Sequence, residues 1–268
     1  MYDQTTGSLL VKSSIAYMLP LIETTHDYPQ IRIIENFLTE QECDWFVKYI
    51  TAQDLWSFCN AVRSFLPDGK DFDLVSRHWD DRKIDFNKLY HTKTHAELYR
   101  NIYPMMLRAK QEVARFFDMG AETFQLESWE AVRWYSPFWQ GPHLDYIDRD
   151  FDRSKYKDID LSFFSVDEEN LYRRHCTTKH YTAMMYMNSD FEGGELHFPF
   201  HNNFQIKPRA GMLVMFSGNV LQPHGIKQIT SGTRYVHTTF WCKDAHLLSK
   251  QQEPVGFIGK DPNITKYW

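Results

Sequence analysis

The sequence predicts an α+β protein, with supporting helices in the front half and a double-stranded β-helix, or jelly roll, in the back half. Three observations predict it. Apolar residues recur at helical spacing over 40–50 and 95–118, and from residue 125 the period changes to two. The back half then breaks into short strand-like runs separated by turn signals: Ser136-Pro137, Glu192-Gly193-Gly194, Pro208 with Gly211, and Ser231-Gly232.

In chain order, Ile31-Arg32-Ile33-Ile34 reads as a strand. Thr39 with Glu42 forms a capping box that opens a helix over 40–50, with Cys43, Phe46, Val47 and Ile50 on one face. Residues 51–94 are irregular and polar. A long helix over 95–118 follows, with a stripe of Leu98, Ile102, Met105, Met106, Ala109, Val113, Phe116 and Phe117. Pro104 should kink or restart it, and Gly120 should stop it. The expected strands are 125–135, 181–188, 195–198, 211–216, 224–229 and 234–241, the last two forming a hairpin across Thr-Ser-Gly-Thr. This gives one domain: 1–124 packs on a core at 125–243, with an insertion at 146–178 and a tail at 244–268.

At 268 residues, with 43% hydrophobic and 16% aromatic content, the chain can bury a sizeable core, which excludes wholesale disorder. The net charge of −5 speaks against nucleic acid or an anionic membrane as a partner. Four cysteines without a CxxC pair read as free thiols in a reducing compartment. There is neither a signal-like leader nor a run of about 18 apolar residues, so the expectation is a cytoplasmic protein. Composition leaves the oligomeric state open.

The chemistry concentrates in Gly141-Pro142-His143-Leu144-Asp145-Tyr146. On a strand, positions i and i+2 share a face, so His143 and Asp145 can chelate one ion. His224, at the start of the expected hairpin, is the best third ligand. Two histidines and one carboxylate leave open positions on the metal, the arrangement of non-haem iron(II) oxygenases. Arg234, across the turn from His224, is placed to bind the far carboxylate of a keto-acid that chelates the metal. Arg133 and Lys207 are the alternative cations. Taken singly, a His-x-Asp triplet, a strand histidine and a post-turn arginine are more often ordinary core or surface residues; their order and spacing carry the reading. From Arg234, alternation turns Val236, Thr238 and Phe240 to the same interior and Tyr235 and His237 away from it.

Several segments together resemble the prolyl 4-hydroxylase branch of the iron(II)/2-oxoglutarate oxygenases, over roughly Gln30–Ile50 and Trp129–Lys243. They are Ile31 to Cys43, Val132-Arg133-Trp134-Tyr135 ahead of His143-Leu144-Asp145, Tyr186 to Pro199, Lys207 to Phe216, and Pro223-His224-Gly225 through Arg234-Tyr235. Tyr186-Met187-Asn188 through Gly193-Gly194-Glu195 is the most specific match. The resemblance implies iron(II) on His143, Asp145 and His224, with 2-oxoglutarate and dioxygen as cosubstrates and ascorbate as an accessory reductant. It implies that Tyr186 binds the distal carboxylate beside Arg234 and that Tyr135 lines the cosubstrate pocket. It implies hydroxylation of an unactivated C–H bond, in a prolyl or other residue of a peptide or protein. Oxidation of a free amino acid or small metabolite is the alternative, and a non-catalytic jelly-roll binding module the second.

The chain also departs from that family's pattern. The interval from Tyr135 to His143 is one residue shorter than usual and lacks the family's mid-loop glycine. Gln140 stands where an active-site tyrosine is common. Arg234 replaces a frequent lysine, and Lys179 or His180 lies near the place of a substrate-contacting arginine. The stretch 146–178, charged but carrying Leu161, Phe163, Phe164 and Val166, is expected to form a lid over the substrate.

Overall fold

Why the front half docks where it does is decided at two helix ends. In the computed structural model, which describes residues 2–3, 8–10, 31–53, 56, 82–86, 96–146, 154 and 178–243, helix α1 (Glu40–Thr51) starts at the expected capping box. The Thr39 hydroxyl accepts the Glu42 N–H at 3.2 Å, and the Glu42 carboxylate accepts the Thr39 N–H at 2.9 Å. Glu42 also accepts a 2.6 Å bond from Arg108 of helix α2 (Ala96–Phe116), which ties the two helices together. Contrary to the expected alternative of a restart, α2 runs through Pro104 as one element. Burial of the neighbouring Ile102, Met105 and Met106 offsets the lost hydrogen bond. Nor does Gly120 end the helix. The left-handed residue there is Asp118 at φ 52°, and Gly120, at φ −65°, opens a short 3₁₀ turn at Ala121–Thr123.

The strands make two antiparallel sheets facing each other. The strands, in chain order, are β1 (Tyr2–Asp3), β2 (Ser8–Leu10), β3 (Arg32–Ile34), β4 (Lys83–Asp85), β5 (Gln125–Tyr135), β6 (Gln140–His143), β7 (Tyr181–Tyr186), β8 (Phe191–Gly193), β9 (Leu196–Phe198), β10 (Phe204–Ile206), β11 (Leu213–Ser217), β12 (His224–Ile226) and β13 (Ile229–Cys242). The major sheet runs β1-β2-β3-β11-β7-β13-β5-β4, with β8 alongside β13; the minor sheet runs β10-β9-β12-β6. This is the double-stranded β-helix that the period-two pattern predicted.

Alternation along the major sheet divides its side chains between two cores. Trp129, Ala131, Ala183, Met185, Met215 and Trp241 pack beneath the helices with Phe46, Ile102 and Val113. Ile33, Met184, Tyr186, Val214, Phe216 and Val236 turn the other way, onto Leu196 and Phe198 of the minor sheet. The site lies between the sheets on this second side.

The expected hairpin of 224–229 with 234–241 is not formed. β12 pairs with β6 and β9 in the minor sheet, while β13 pairs with β5, β7 and β8 in the major one. The chain therefore crosses between sheets at Lys227-Gln228, and the Ser231-Gly232 signal lies inside β13, just after a register shift between Ile229 and Ser231. Gly232 sits there at φ 74°, where a Cβ would lie 2.4 Å from the Asp190 carbonyl oxygen. His224 and Arg234 consequently face the interior from opposite walls. The expected lid at 146–178 lies outside the described residues except Tyr146, Ser154 and Thr178, and the expected tail at 244–268 lies outside them altogether.

Candidate metal and cosubstrate site

The register of β6 on β12 places His143 directly opposite His224, with ring centroids 4.4 Å apart. Asp145 arrives differently from the expected pleat. β6 ends at His143, so Asp145 is brought back by the loop that follows. Two contacts hold that loop: the Tyr146 N–H donates to the Gly218 carbonyl at 2.9 Å, and the Thr182 hydroxyl donates to Asp145 Oδ2 at 2.6 Å. Gly218 has to be small, because a Cβ there would stand 2.8 Å from that of Asp145.

Asp145 Oδ1 lies 3.7 Å from His143 Nε2, and Oδ2 lies 3.5 Å from His224 Nε2. The three ligand atoms all fall within 4.8 Å of one another, so one ion with bonds of roughly 2.0–2.2 Å fits among them. Both imidazoles are oriented for this. His143 Nδ1 meets the Gly141 carbonyl at 3.1 Å and His224 Nδ1 meets the Gln222 carbonyl at 3.0 Å. A proton on each Nδ1 leaves each Nε2 with its lone pair for a metal. Burial alone pushes the Asp145 carboxyl up. His224, His143 and Lys179 nearby, with the Thr182 hydrogen bond, outweigh that and hold it below the usual carboxylate range, in its ligating form.

Arg234 is fully buried. Its Nη1 donates to the Gly194 carbonyl at 2.6 Å, while Nε and Nη2 have no hydrogen-bond partner among the described residues. Burial lowers its pKa to about 10, against the opposing influence of Tyr186 and Glu195, and it remains a cation at neutral pH. Its guanidinium carbon lies 5.5 Å from the Tyr186 ring centre and 5.6 Å from that of Trp134. Tyr186 is also fully buried. Burial pushes its hydroxyl up to about 12 although Arg234 pulls the other way, so it stays a neutral donor. A buried cation with two free donors and a neutral phenol beside it suits one carboxylate, and the donor set thus fits 2-oxoglutarate.

Tyr135 pairs with Thr233, one position along from the Arg234–Trp134 pair, and its ring packs edge-on against Phe138 at 4.8 Å. The aromatic residue that register brings beside the guanidinium is Trp134. Of the alternative cations, Arg133 stacks on Trp56 at 4.1 Å and Lys207 meets Glu192 at 3.4 Å on the surface. Lys179 lies 3.7 Å over the Phe240 ring.

Sequence reasoning missed Trp134, Thr182, Gly218 and the part played by Asn188. The Asn188 amide donates to the Thr233 carbonyl at 2.6 Å and accepts the Tyr235 N–H at 2.8 Å, fixing the backbone on both sides of Arg234. A signal existed for Thr182, a polar residue in step with Met184 and Tyr186. None existed for Gly218, whose constraint comes from a distant loop.

Comparison with known proteins agrees with this geometry. The description "2OG-Fe(II) oxygenase superfamily" matches residues 132–242, a span that holds every residue of the site. Over that span the chain is similar to the superfamily. Part of the chain is similar to prolyl 3-hydroxylase 3 of Homo sapiens, at 35% identity over 92 residues, covering 29% of this chain and 12% of the relative. Similarity to prolyl 3-hydroxylase 2 of Gallus gallus is 44% over 62 residues, covering 22% of this chain and 9% of the relative. The chain thus spans about a tenth of the length of these curated relatives. Among solved structures, the 2-oxoglutarate complex of the viral collagen prolyl hydroxylase from Paramecium Bursaria Chlorella virus-1 aligns with a TM-score of 0.48 at 15% identity, covering 79% of this chain and 94% of that one.

Proposed function

We propose that this chain is an iron(II)- and 2-oxoglutarate-dependent dioxygenase that hydroxylates a prolyl residue of a peptide or protein. The observation that carries the reading is the buried Arg234 guanidinium, with two donors free, in the same interior as the His143–Asp145–His224 cluster. A buried cation without an anion is costly, and a dicarboxylate spanning from metal to guanidinium removes that cost.

In this reading His143, Asp145 and His224 hold the iron. Bound there, iron(II) would supply the oxidative chemistry, in which dioxygen gives one oxygen atom to succinate as 2-oxoglutarate loses carbon dioxide and the other to a substrate C–H bond. Arg234 and Tyr186 orient the keto-acid by its far carboxylate. Thr182 holds the carboxylate of Asp145 in place. Phe198, Phe216 and Val236 keep the interior dry. Asp145 occupies the position that a halogenating relative would leave to chloride, so the expected product is an alcohol.

The prolyl assignment rests on the sequence relatives, which are named for the 3-position of proline, and on the resemblance to prolyl 4-hydroxylases. The test is incubation with iron(II), 2-oxoglutarate, dioxygen and a panel of proline-containing peptides, with and without ascorbate. Expected are succinate release coupled to a gain of one oxygen atom on a peptide, and a hydroxyproline whose isomer is then resolved. Coupled succinate release with free amino acids alone would move the substrate to small metabolites. No succinate with any substrate and no binding of 2-oxoglutarate would sink the reading.

A further inference from the structure

We infer that His201 is a positioning residue of the metal centre, clamping the loop that aims His224; the inference rests on the assignment of the metal cluster and deepens it. Residues 218–223, between β11 and β12, serve two of the three ligands. At one end the Gly218 carbonyl accepts the Tyr146 N–H at 2.9 Å, next to Asp145. At the other the Gln222 carbonyl meets His224 Nδ1 at 3.0 Å and so sets the direction of its Nε2. The loop is folded on Asn219. The Leu221 N–H donates to Asn219 Oδ1 at 3.1 Å, and the Gln222 N–H donates to the Asn219 carbonyl at 3.0 Å. These bonds are local: they shape the loop and leave its position in the barrel to other contacts.

His201 supplies such a contact from another element. Its backbone is set in the turn between β9 and β10, where its N–H donates to the Phe198 carbonyl at 3.1 Å and its carbonyl accepts the Phe204 N–H at 3.0 Å. From there its Nε2 reaches the Leu221 carbonyl at 3.1 Å and Gln222 Oε1 at 2.7 Å. A backbone carbonyl can only accept, so the proton sits on Nε2 and one donor serves both oxygens. Those oxygens belong to the residue whose main chain orients His224 and to the residue before it. The Phe198 ring lies beside both imidazoles, with centroids 6.1 Å from His201 and 6.0 Å from His224. A hydrogen-bonded path, His201 to Gln222 to His224, thus ties the metal ligand to the β9–β10 turn. Contacts of this kind, one step removed from the metal, are worth about ten- to a hundredfold in metal affinity.

The test separates the donor from the ring. Iron(II) is titrated by calorimetry without oxygen, and cobalt(II) by its visible absorption, which reports the geometry of its ligands. Wild type, His201→Leu and His201→Gln are compared, each well below its own thermal midpoint, so that loss of fold is not read as loss of metal. Leucine removes the donor. Glutamine keeps an amide N–H the same number of bonds from Cβ as the imidazole Nε2. His201→Leu should weaken both metals by roughly tenfold and alter the cobalt(II) spectrum, while His201→Gln should bind within about threefold of wild type and keep its spectrum. A leucine variant with wild-type affinity and spectrum overturns the inference. So does a glutamine variant as weak as the leucine one, because the ring and not its donor then carries the effect. Wild-type protein that takes up neither metal overturns the metal assignment itself.

Discussion

Arg234 and His237 lie three residues apart on one strand, both fully buried, and face opposite cores. Each is basic and each keeps ring or guanidinium nitrogens without a hydrogen-bond partner among the described residues. His237 sits among Phe46, Phe86 and Trp129, with ring centroids 5.6, 5.4 and 6.3 Å away. Burial depresses its pKa to about 3, so it is a neutral imidazole filling an aromatic box. Arginine has no such escape. At a pKa of about 10 it keeps its charge in the interior, and only an anion resolves it. The same burial therefore reads as packing on one face of the sheet and as a ligand site on the other.

If the comparison holds, changes on the inner face should remove chemistry with little loss of stability, and changes on the outer face should do the reverse. The largest effect is expected at the metal cluster. His224→Ala should abolish coupled succinate formation and stoichiometric iron(II) binding while leaving the thermal midpoint nearly unchanged. Full turnover in that variant would move the metal elsewhere. Arg234→Gln comes next, with the apparent Michaelis constant for 2-oxoglutarate raised roughly ten- to a hundredfold. The protein without 2-oxoglutarate should be no less stable than wild type, since a buried unpaired charge is gone. An unchanged cosubstrate response would break the comparison at its centre.

Thr182→Val removes the 2.6 Å bond to Asp145 at nearly constant volume. Iron(II) affinity should fall by about tenfold, in the range of lost outer contacts to ligands, with circular dichroism unchanged. The smallest effect belongs to His237, and it is a pH effect. Its folded pKa, about 3, lies below the unfolded value near 6.5, so the unfolded chain binds the extra proton. No penalty exists above pH 6.5, and stability falls as pH drops from there towards 3. At pH 5 this group should cost about 2 kcal/mol. Chemical denaturation of His237→Phe at pH 5 and 7.5 should show that part of the pH dependence gone. An unaltered slope would mean that the outer face does not hold His237 neutral.

Much of this was legible in the chain because it depends on local periodicity and on which atoms can bind what. The capping box at Thr39, the switch to period two at residue 125, and the two faces of β13 follow from backbone geometry within a few residues. The identities of His143, Asp145, His224 and Arg234 follow from ligand chemistry. Tertiary structure alone decided how they meet. Ser231-Gly232 reads as a turn locally, yet pairing with β8 keeps it inside β13, which leaves His224 and Arg234 on opposite walls. Asp145 reaches the cluster through Thr182 and Gly218, and Trp134, not Tyr135, stands by the guanidinium because register sets which residue faces inward. Pairing partners, register and loop closure are long-range choices. They are made by the packing of two sheets against each other, and no window of sequence contains both partners.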